Sequence, residues 1–177
     1  MGERAWSVVP VGVRLAAYAK AESAEILGDG EDPFGVAYTG LTWLPKGEHF
    51  GVRVGGRLVA HAGLLRVPLE IGGVAVEAVG VGGVAVAADV RGQGLARVVV
   101  GAALEHARTL GPSYGLLFCR PPLVALYERL GWREVGAEVR VEQAEGPVPM
   151  PLRTMWTPLR DGVTWPDGAV RLRSYPM

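Results

Sequence analysis

Apolar and polar positions change rhythm three times along the chain, and each change predicts a different kind of element. Over 12–27, Leu15, Ala19 and Ile26 recur among Arg14, Lys20, Glu22 and Glu25, which predicts a helix, and Gly28-Asp29-Gly30-Glu31-Asp32-Pro33 ends it. Residues 34–44 read as a second, poorly defined helix or a long loop. From residue 49 the pattern turns β-rich: a strand over 49–54, then Gly55-Gly56, a strand over 57–69, then Gly72-Gly73, and a strand over 74–86. Paired glycines between β-branched runs are hairpin signals, because both turn residues need positive φ. The three strands therefore form an antiparallel meander, and Gly82-Gly83 marks a bulge or a close backbone approach.

Past residue 90 the helical period returns. Residues 93–110 place Leu95, Val99, Ala102 and Ala103 on one face, leave Arg97, Glu105 and Arg108 for solvent, and stop at Gly111-Pro112. The apolar run 114–119 reads as a buried strand. Pro121-Pro122 opens a further helix, with Leu123, Leu126, Tyr127 and Leu130 at i, i+3, i+4, i+7 and Gly131 closing it. Strands over 132–141 and 152–157 follow, and the tail from Pro158 is polar and turn-rich. No repeat or long linker divides the 177 residues. The expectation is one α/β (α+β) domain over 1–177, with a C-terminal extension from about 158 and a mixed, mostly antiparallel sheet flanked by helices.

Composition narrows the function classes. Hydrophobic residues at 49% and charged residues at 20% exclude global disorder. Lys+Arg and Asp+Glu both number 18, so the basic excess of a nucleic-acid binder is missing. The single Cys119 makes neither an internal disulfide nor a zinc cluster, and His49, His61 and His106 are too dispersed in sequence for a metal motif; no metal is expected. The 16 Arg against 2 Lys, beside abundant Ala, Gly and Val, reads as genome bias rather than function. The N-terminal MGERAW lacks a signal-peptide layout, and the apolar stretch 71–88 has a glycine–valine strand composition, so a cytoplasmic, membrane-free protein is expected.

The segment that carries chemistry runs from Val84, Ala85 and Val86 through Arg91, Gly92, Gln93 and Gly94 into Leu95 and Ala96. A strand enters a glycine turn bearing an arginine, and a helix starts at once. The first helical N–H groups have no internal partners and stand at the positive end of the dipole, so the turn has the physics of a phosphate cradle. The bland reading is a plain strand-to-helix turn with glycine chosen for conformation; the residues alone leave both open. Neither Lys20 nor Lys46 follows a Walker A loop. Gly80-Val81-Gly82-Gly83-Val84-Ala85 fits G-x-G-x-x-A formally, but it continues into β-branched residues where a dinucleotide fingerprint opens a helix.

Arg91-x-x-Gly94-x-Ala96 resembles the Q/R-x-x-G-x-G/A signature of the GCN5-related N-acetyltransferase (GNAT) superfamily, and Val84 and Val86 lie where its fourth strand presents valines. Leu126-Tyr127-Glu128-Arg129-Leu130-Gly131-Trp132 resembles the same family's Y-x-x-x-G-F/W segment, at the right separation. The resemblance covers nearly the whole chain. It implies a central sheet splayed between its fourth and fifth strands. It also implies acetyl-CoA as co-substrate, with pantetheine along Val84, Ala85 and Val86 and pyrophosphate over Arg91, Gly92, Gln93, Gly94, Leu95 and Ala96. The implied reaction is direct attack of a neutral amine on the thioester. A backbone N–H of Val84 to Val86 would face the oxyanion, and Tyr127 would protonate the thiolate. The competing reading of Tyr127 is an amphipathic residue capping the core.

For the base, Glu77 is the nominated residue, with Glu70, His61 and the Met177 carboxylate as further candidates. The acidic loop residues Asp29, Glu31 and Asp32 are candidates for holding a cationic amine. Cys119 reads as a buried small hydrophobe before an acyl-enzyme nucleophile. Within the superfamily, the long hairpin and the V-A-V-x-A-D-x-R-G-Q run resemble aminoglycoside 2′-N-acetyltransferases, and Trp165-Pro166-Asp167-Gly168 resembles the nodulation-factor N-acyltransferases. Both resemblances imply an amino-sugar amine. Gly82 stands where the aminoglycoside group has an acidic residue, and Arg171 and Arg173 disfavour a polycation. The expected function is acetyl transfer from acetyl-CoA to a primary amine of a small molecule, with homodimerisation left open. The alternatives are a non-catalytic acyl-CoA-binding module and a dinucleotide-dependent oxidoreductase built on Gly80 to Ala85.

Overall fold

A computed structural model describes residues 9–28 and 30–177, so Asp29 lies outside the described residues. In chain order the elements are β1 (Val13–Arg14), α1 (Lys20–Leu27), a 3-10 turn (Ala37–Thr39), β2 (Glu48–Val54), β3 (Arg57–Ile71) and β4 (Val74–Val86). Then come α2 (Leu95–Ala107), β5 (Tyr114–Cys119), α3 (Val124–Arg129), β6 (Arg133–Glu134), β7 (Val139–Val141), β8 (Val148–Pro149), β9 (Arg153–Pro158) and β10 (Val170–Leu172). One mixed sheet runs β6-β9-β5-β4-β3-β10-β7-β8, with β2 pairing β3 and β1 pairing β2. This is the single-domain, mostly antiparallel α/β sheet that the sequence predicts.

The meander forms for the expected reason. Gly55 and Gly56 have φ of +57° and +80°, Gly72 and Gly73 +57° and +81°, and each pair closes a two-residue hairpin. The bulge is real too. His61 pairs with Ala85 and Gly63 with Gly82, so Ala62 faces both Gly83 and Val84. Gly83 takes φ +61°, the left-handed conformation that such a bulge uses.

Three sequence expectations are corrected. The helix over 12–27 begins only at Lys20, because Val13 and Arg14 pair with Gly51 and Phe50 on β2. Gly12 is pressed against α2, where a Cβ would come within 2.5 Å of the Ala102 Cβ. The single strand over 132–141 is two short strands, β6 and β7, pairing with different partners. The tail from Pro158 supplies β10, which enters the sheet between β3 and β7 with Val170 and Leu172 buried.

Apolar residues cover both faces of the sheet. One cluster packs Leu95, Val99, Ala103 and Ala107 of α2 on Phe50, Val52, Leu58 and Val79. The other gathers Val67, Leu69, Ile71, Ala78 and Leu116 with Val141, Val170 and Leu172. What positions the site is the β4–β5 contact. These parallel strands pair only at Ala78–Tyr114, Val79–Gly115 and Gly80–Leu116, then diverge, leaving the rest of β4 without a neighbour on that side. No helix among the described residues is long and apolar enough to cross a membrane.

Candidate active site

The divergence opens a cleft of about 650 Å³ between β4, the N-terminus of α2 and α3. Val84, Ala85 and Val86 form one wall, and Arg91, Gly92, Gly94, Leu95 and Ala96 form its end. Gly92 and Gly94 both take φ +79°, and Gly94 is the α2 N-cap with no side chain capping the helix. The first-turn N–H groups of Leu95 and Ala96 therefore keep their donors for a ligand, at the positive end of a helix of 13 residues. Eight of the nine residues predicted to hold the cofactor line this cleft. Gln93 does not: its Oε1 is buried without a partner and the residue is absent from the lining.

Charge reinforces the cradle. Arg97, Arg120 and Arg129 join Arg91 around the cleft, and no carboxylate lines it among the described residues. The Arg91 Nε donates to the Val86 carbonyl at 3.1 Å, tying the turn to the end of β4. An Arg97 N–H donates to the Arg129 carbonyl at 3.2 Å, joining α2 to α3. The sequence reading left Arg97 to solvent and gave Arg120 and Arg129 no role, since the three come from separate elements and make no local motif.

A second cleft of about 330 Å³ continues past the splay, lined by Phe34, Val36, Trp43, Lys46, Phe118, Leu152 and Met177 among others. Val84, Arg120, Leu123, Phe34 and Tyr127 belong to both clefts and mark where they meet. Tyr127 is 6% exposed, with its ring edge-on to Trp132 at 6.2 Å. Burial, aided by nearby Cys119, holds its phenol well above the ordinary tyrosine value, so it carries its proton throughout the physiological range. Cys119, buried beside it, has its thiol pushed up to about 11, chiefly by burial, and approaches Met155 Sδ at 3.8 Å. That is a neutral packing thiol, as predicted, without nucleophilic character.

The nominated base is not there. Glu77 stands on β4 but outside both clefts, half exposed and paired with Arg66 at 3.4 Å. Counted along the strand it lies roughly 20 Å from Val84, at about 3.3 Å per residue. Glu70 likewise pairs with Arg173. The acidic loop is structural as well: both Asp32 carboxylate oxygens accept backbone N–H groups, from Val36 at 3.0 Å and Ala37 at 3.1 Å. Glu31 is exposed and lines neither cleft. What the acidic loop contributes to the clefts is its neighbours Pro33 and Phe34. The G-x-G-x-x-A match at Gly80 to Ala85 lies within β4 and opens no helix, which removes the dinucleotide reading.

His61 is 2% exposed and sits beneath the β4 bulge, donating Nδ1–H to the Gly83 carbonyl at 2.7 Å. Its Nε2 accepts from His49 Nδ1 at 2.9 Å, and the Tyr18 ring stacks on it at 3.5 Å. Burial lowers its pKa to about 4, so it is neutral at physiological pH. Two histidines that look dispersed in sequence thus meet across β2 and β3, although no described group of His, Cys, Asp and Glu could hold a metal.

The acetyltransferase (GNAT) domain family matches residues 34–135, more than half of the chain, and the chain belongs to that family. Solved structures share the fold. A GNAT-family N-acetyltransferase (YhbS) from Escherichia coli in complex with CoA is 18% identical, with 93% of this chain and 89% of that one covered and a TM-score of 0.62. The ribosomal-protein-S18-alanine N-acetyltransferase from Escherichia coli is 17% identical, with 88% and 100% covered and a TM-score of 0.54. The N-acetylglutamate synthase from Neisseria gonorrhoeae, complexed with coenzyme A and N-acetyl-glutamate, is 10% identical, with 84% and 35% covered and a TM-score of 0.55. No curated protein sequence matches the chain.

Proposed function

We propose that this protein transfers an acetyl group from acetyl-CoA to a primary amine of a small molecule. The observation that carries this reading is the junction itself. An uncapped helix N-terminus ringed by arginines, an unpaired strand edge and a protonated tyrosine all open onto one continuous cleft. The arginines and the α2 N–H groups suit a pyrophosphate. The free edge of β4 suits an amide-bearing arm that pairs as a strand would. The E. coli relative solved with CoA supports the same ligand.

In the reaction, the amine nitrogen attacks the thioester carbonyl and a C–N bond forms. A β4 backbone N–H near Val84 to Val86 donates to the developing oxyanion. Collapse breaks the C–S bond, and Tyr127 donates its proton to the departing thiolate, recovering one from solvent afterwards. No Asp or Glu lines either cleft among the described residues, but Met177, whose carboxylate is one of the base candidates, lines the second with its carboxyl carbon beside Gly82. The acceptor enters as the neutral amine, and the proton it sheds on attack passes to water or to the Met177 carboxylate.

The acceptor cleft bears on the amino-sugar expectation. Its walls are largely aromatic and aliphatic and its cations are Lys46 and Arg120, which repel a polycation of the aminoglycoside kind. Thiol release from acetyl-CoA, screened over neutral, anionic and polycationic amines, tests the proposal, with CoA binding followed by calorimetry. Turnover of an amine with tight CoA binding supports it. CoA binding without any turnover favours a non-catalytic acyl-CoA module, and no CoA binding removes both.

A further inference from the structure

The four arginines around the acyl cleft are not placed alike. Arg91 is tied to the Val86 carbonyl at the cradle. Arg120 is half-buried where the two clefts meet, with its guanidinium against Gly35. Arg97 and Arg129 are solvent-exposed and line the acyl cleft alone, as the third residue of α2 and the last of α3. Arg97 spends one N–H on the Arg129 carbonyl at 3.2 Å, which draws its side chain across to the end of α3 and leaves the rest of its donor fork free. Neither arginine forms an ion pair among the described residues, and no Asp or Glu there lines the cleft. Two cations gathered on one wall without a carboxylate repel each other until an anion joins them. A diester pyrophosphate, at about −2, is answered by Arg91 and the α2 N–H groups, so Arg97 and Arg129 stand as a surplus of two charges. A phosphate monoester carries about −1.5 to −2 at neutral pH, which is the charge that surplus would balance.

Resting on the acetyl-CoA reading, we propose that Arg97 and Arg129 form a phosphomonoester subsite that reads the 3′-phosphate on the ribose of CoA, so that the chain selects CoA over its 3′-dephospho form. A guanidinium fork matches phosphate oxygens in pairs, and a dianion shared by the two arginines relieves their mutual repulsion. The pyrophosphate is common to both forms of the ligand and is held by the turn from Arg91 to Ala96. Selectivity therefore resides in the two arginines outside that turn.

The test titrates CoA and 3′-dephospho-CoA by calorimetry into the full chain, in low-salt buffer because screening weakens exposed pairs. The wild type is expected to bind CoA at least about tenfold tighter. Arg129→Gln keeps the carbonyl that receives Arg97 and is expected to cut that preference at least about threefold. Adding Arg97→Gln is expected to bring the two affinities within about twofold, with the affinity for 3′-dephospho-CoA retained as the sign of an intact fold. Arg91→Ala is expected to weaken both ligands by the same factor and so to keep the preference. The proposal is overturned if the wild type binds the two ligands within about twofold, if the preference survives in the double variant, or if Arg91→Ala abolishes it. Failure of both ligands to bind the wild type overturns instead the acetyl-CoA reading on which the subsite rests.

Discussion

His61 on β3 holds the carbonyl of Gly83 on β4 with its Nδ1–H, 2.7 Å away and under the bulge that bends β4 toward the cleft. The ring is locked from two further sides, by His49 at Nε2 and by the stacked Tyr18 ring. The bulge is thus tied down beside the residues that face the acyl cleft.

Replacing His61 with Leu leaves the Gly83 carbonyl without its donor, at a cost of about 1–3 kcal/mol in stability. His61→Asn presents an N–H near the Nδ1 position and is expected to recover at least half of that loss, as well as most of any fall in kcat/KM. Denaturant unfolding of the two variants, with steady-state kinetics, checks it; equal effects of Leu and Asn would show that ring packing alone matters.

The same residue sets an acid limit. Its folded pKa of about 4 lies below the ordinary 6.5, so the unfolded chain binds the proton more readily. The contribution is intact above pH 6.5 and is lost progressively as pH falls from 6.5 to 4, by up to about 3 kcal/mol. Melting curves across pH 4–7 are expected to show this slope in the wild type and a shallower one in His61→Asn, where His49, also lowered by burial, still contributes.

Tyr127→Phe keeps the buried ring and removes only the proton donor. Turnover is expected to fall about 10²–10⁴-fold, in kcat and kcat/KM together, with CoA affinity unchanged. No described residue hydrogen-bonds the Tyr127 hydroxyl, so the melting temperature should hardly move. Normal kcat would remove Tyr127 from the mechanism.

With no Asp or Glu side chain lining the acceptor cleft among the described residues, kcat/KM is expected to rise about tenfold per pH unit below the acceptor's own amine pKa and then level off. The break should move with the pKa of the amine used. A break fixed at one pH for amines of different basicity would reveal a base on the protein.

For the cradle, Gly94→Trp sets a bulky side chain where the pyrophosphate approaches, at a residue with φ +79°. CoA affinity should drop by about 100-fold or more, against about three- to tenfold for Arg91→Ala, which removes one charge and the tie to Val86. Calorimetry on folded variants decides; undiminished affinity in Gly94→Trp would place the cofactor elsewhere.

The parts of this fold legible in sequence are those fixed by near neighbours. The Gly55-Gly56 and Gly72-Gly73 turns, the bulge at Gly83 and the 91–96 cradle each depend on a few adjacent residues with special backbone needs. Val13-Arg14 and β10 depend instead on partners far along the chain, Phe50 and Gly51 in one case and Leu69 to Ile71 in the other, and local pattern is silent about them. Glu77 shows the same limit at the site. Alternation indicates which face of β4 it occupies, but how far along the strand the cleft lies is decided by where β5 diverges. Arg97, Arg120 and Arg129 converge only once α2, β5 and α3 have packed.

The position of β10 between β3 and β7 has a consequence for biosynthesis. β3 leaves the ribosome well before Val170–Leu172, the segment that pairs with its Leu69, Glu70 and Ile71. At about 5–20 residues per second, the nascent chain carries an open, apolar strand edge for seconds. The β3 edge is therefore covered only once β10 has been made, and in that interval it is open to pairing with another strand.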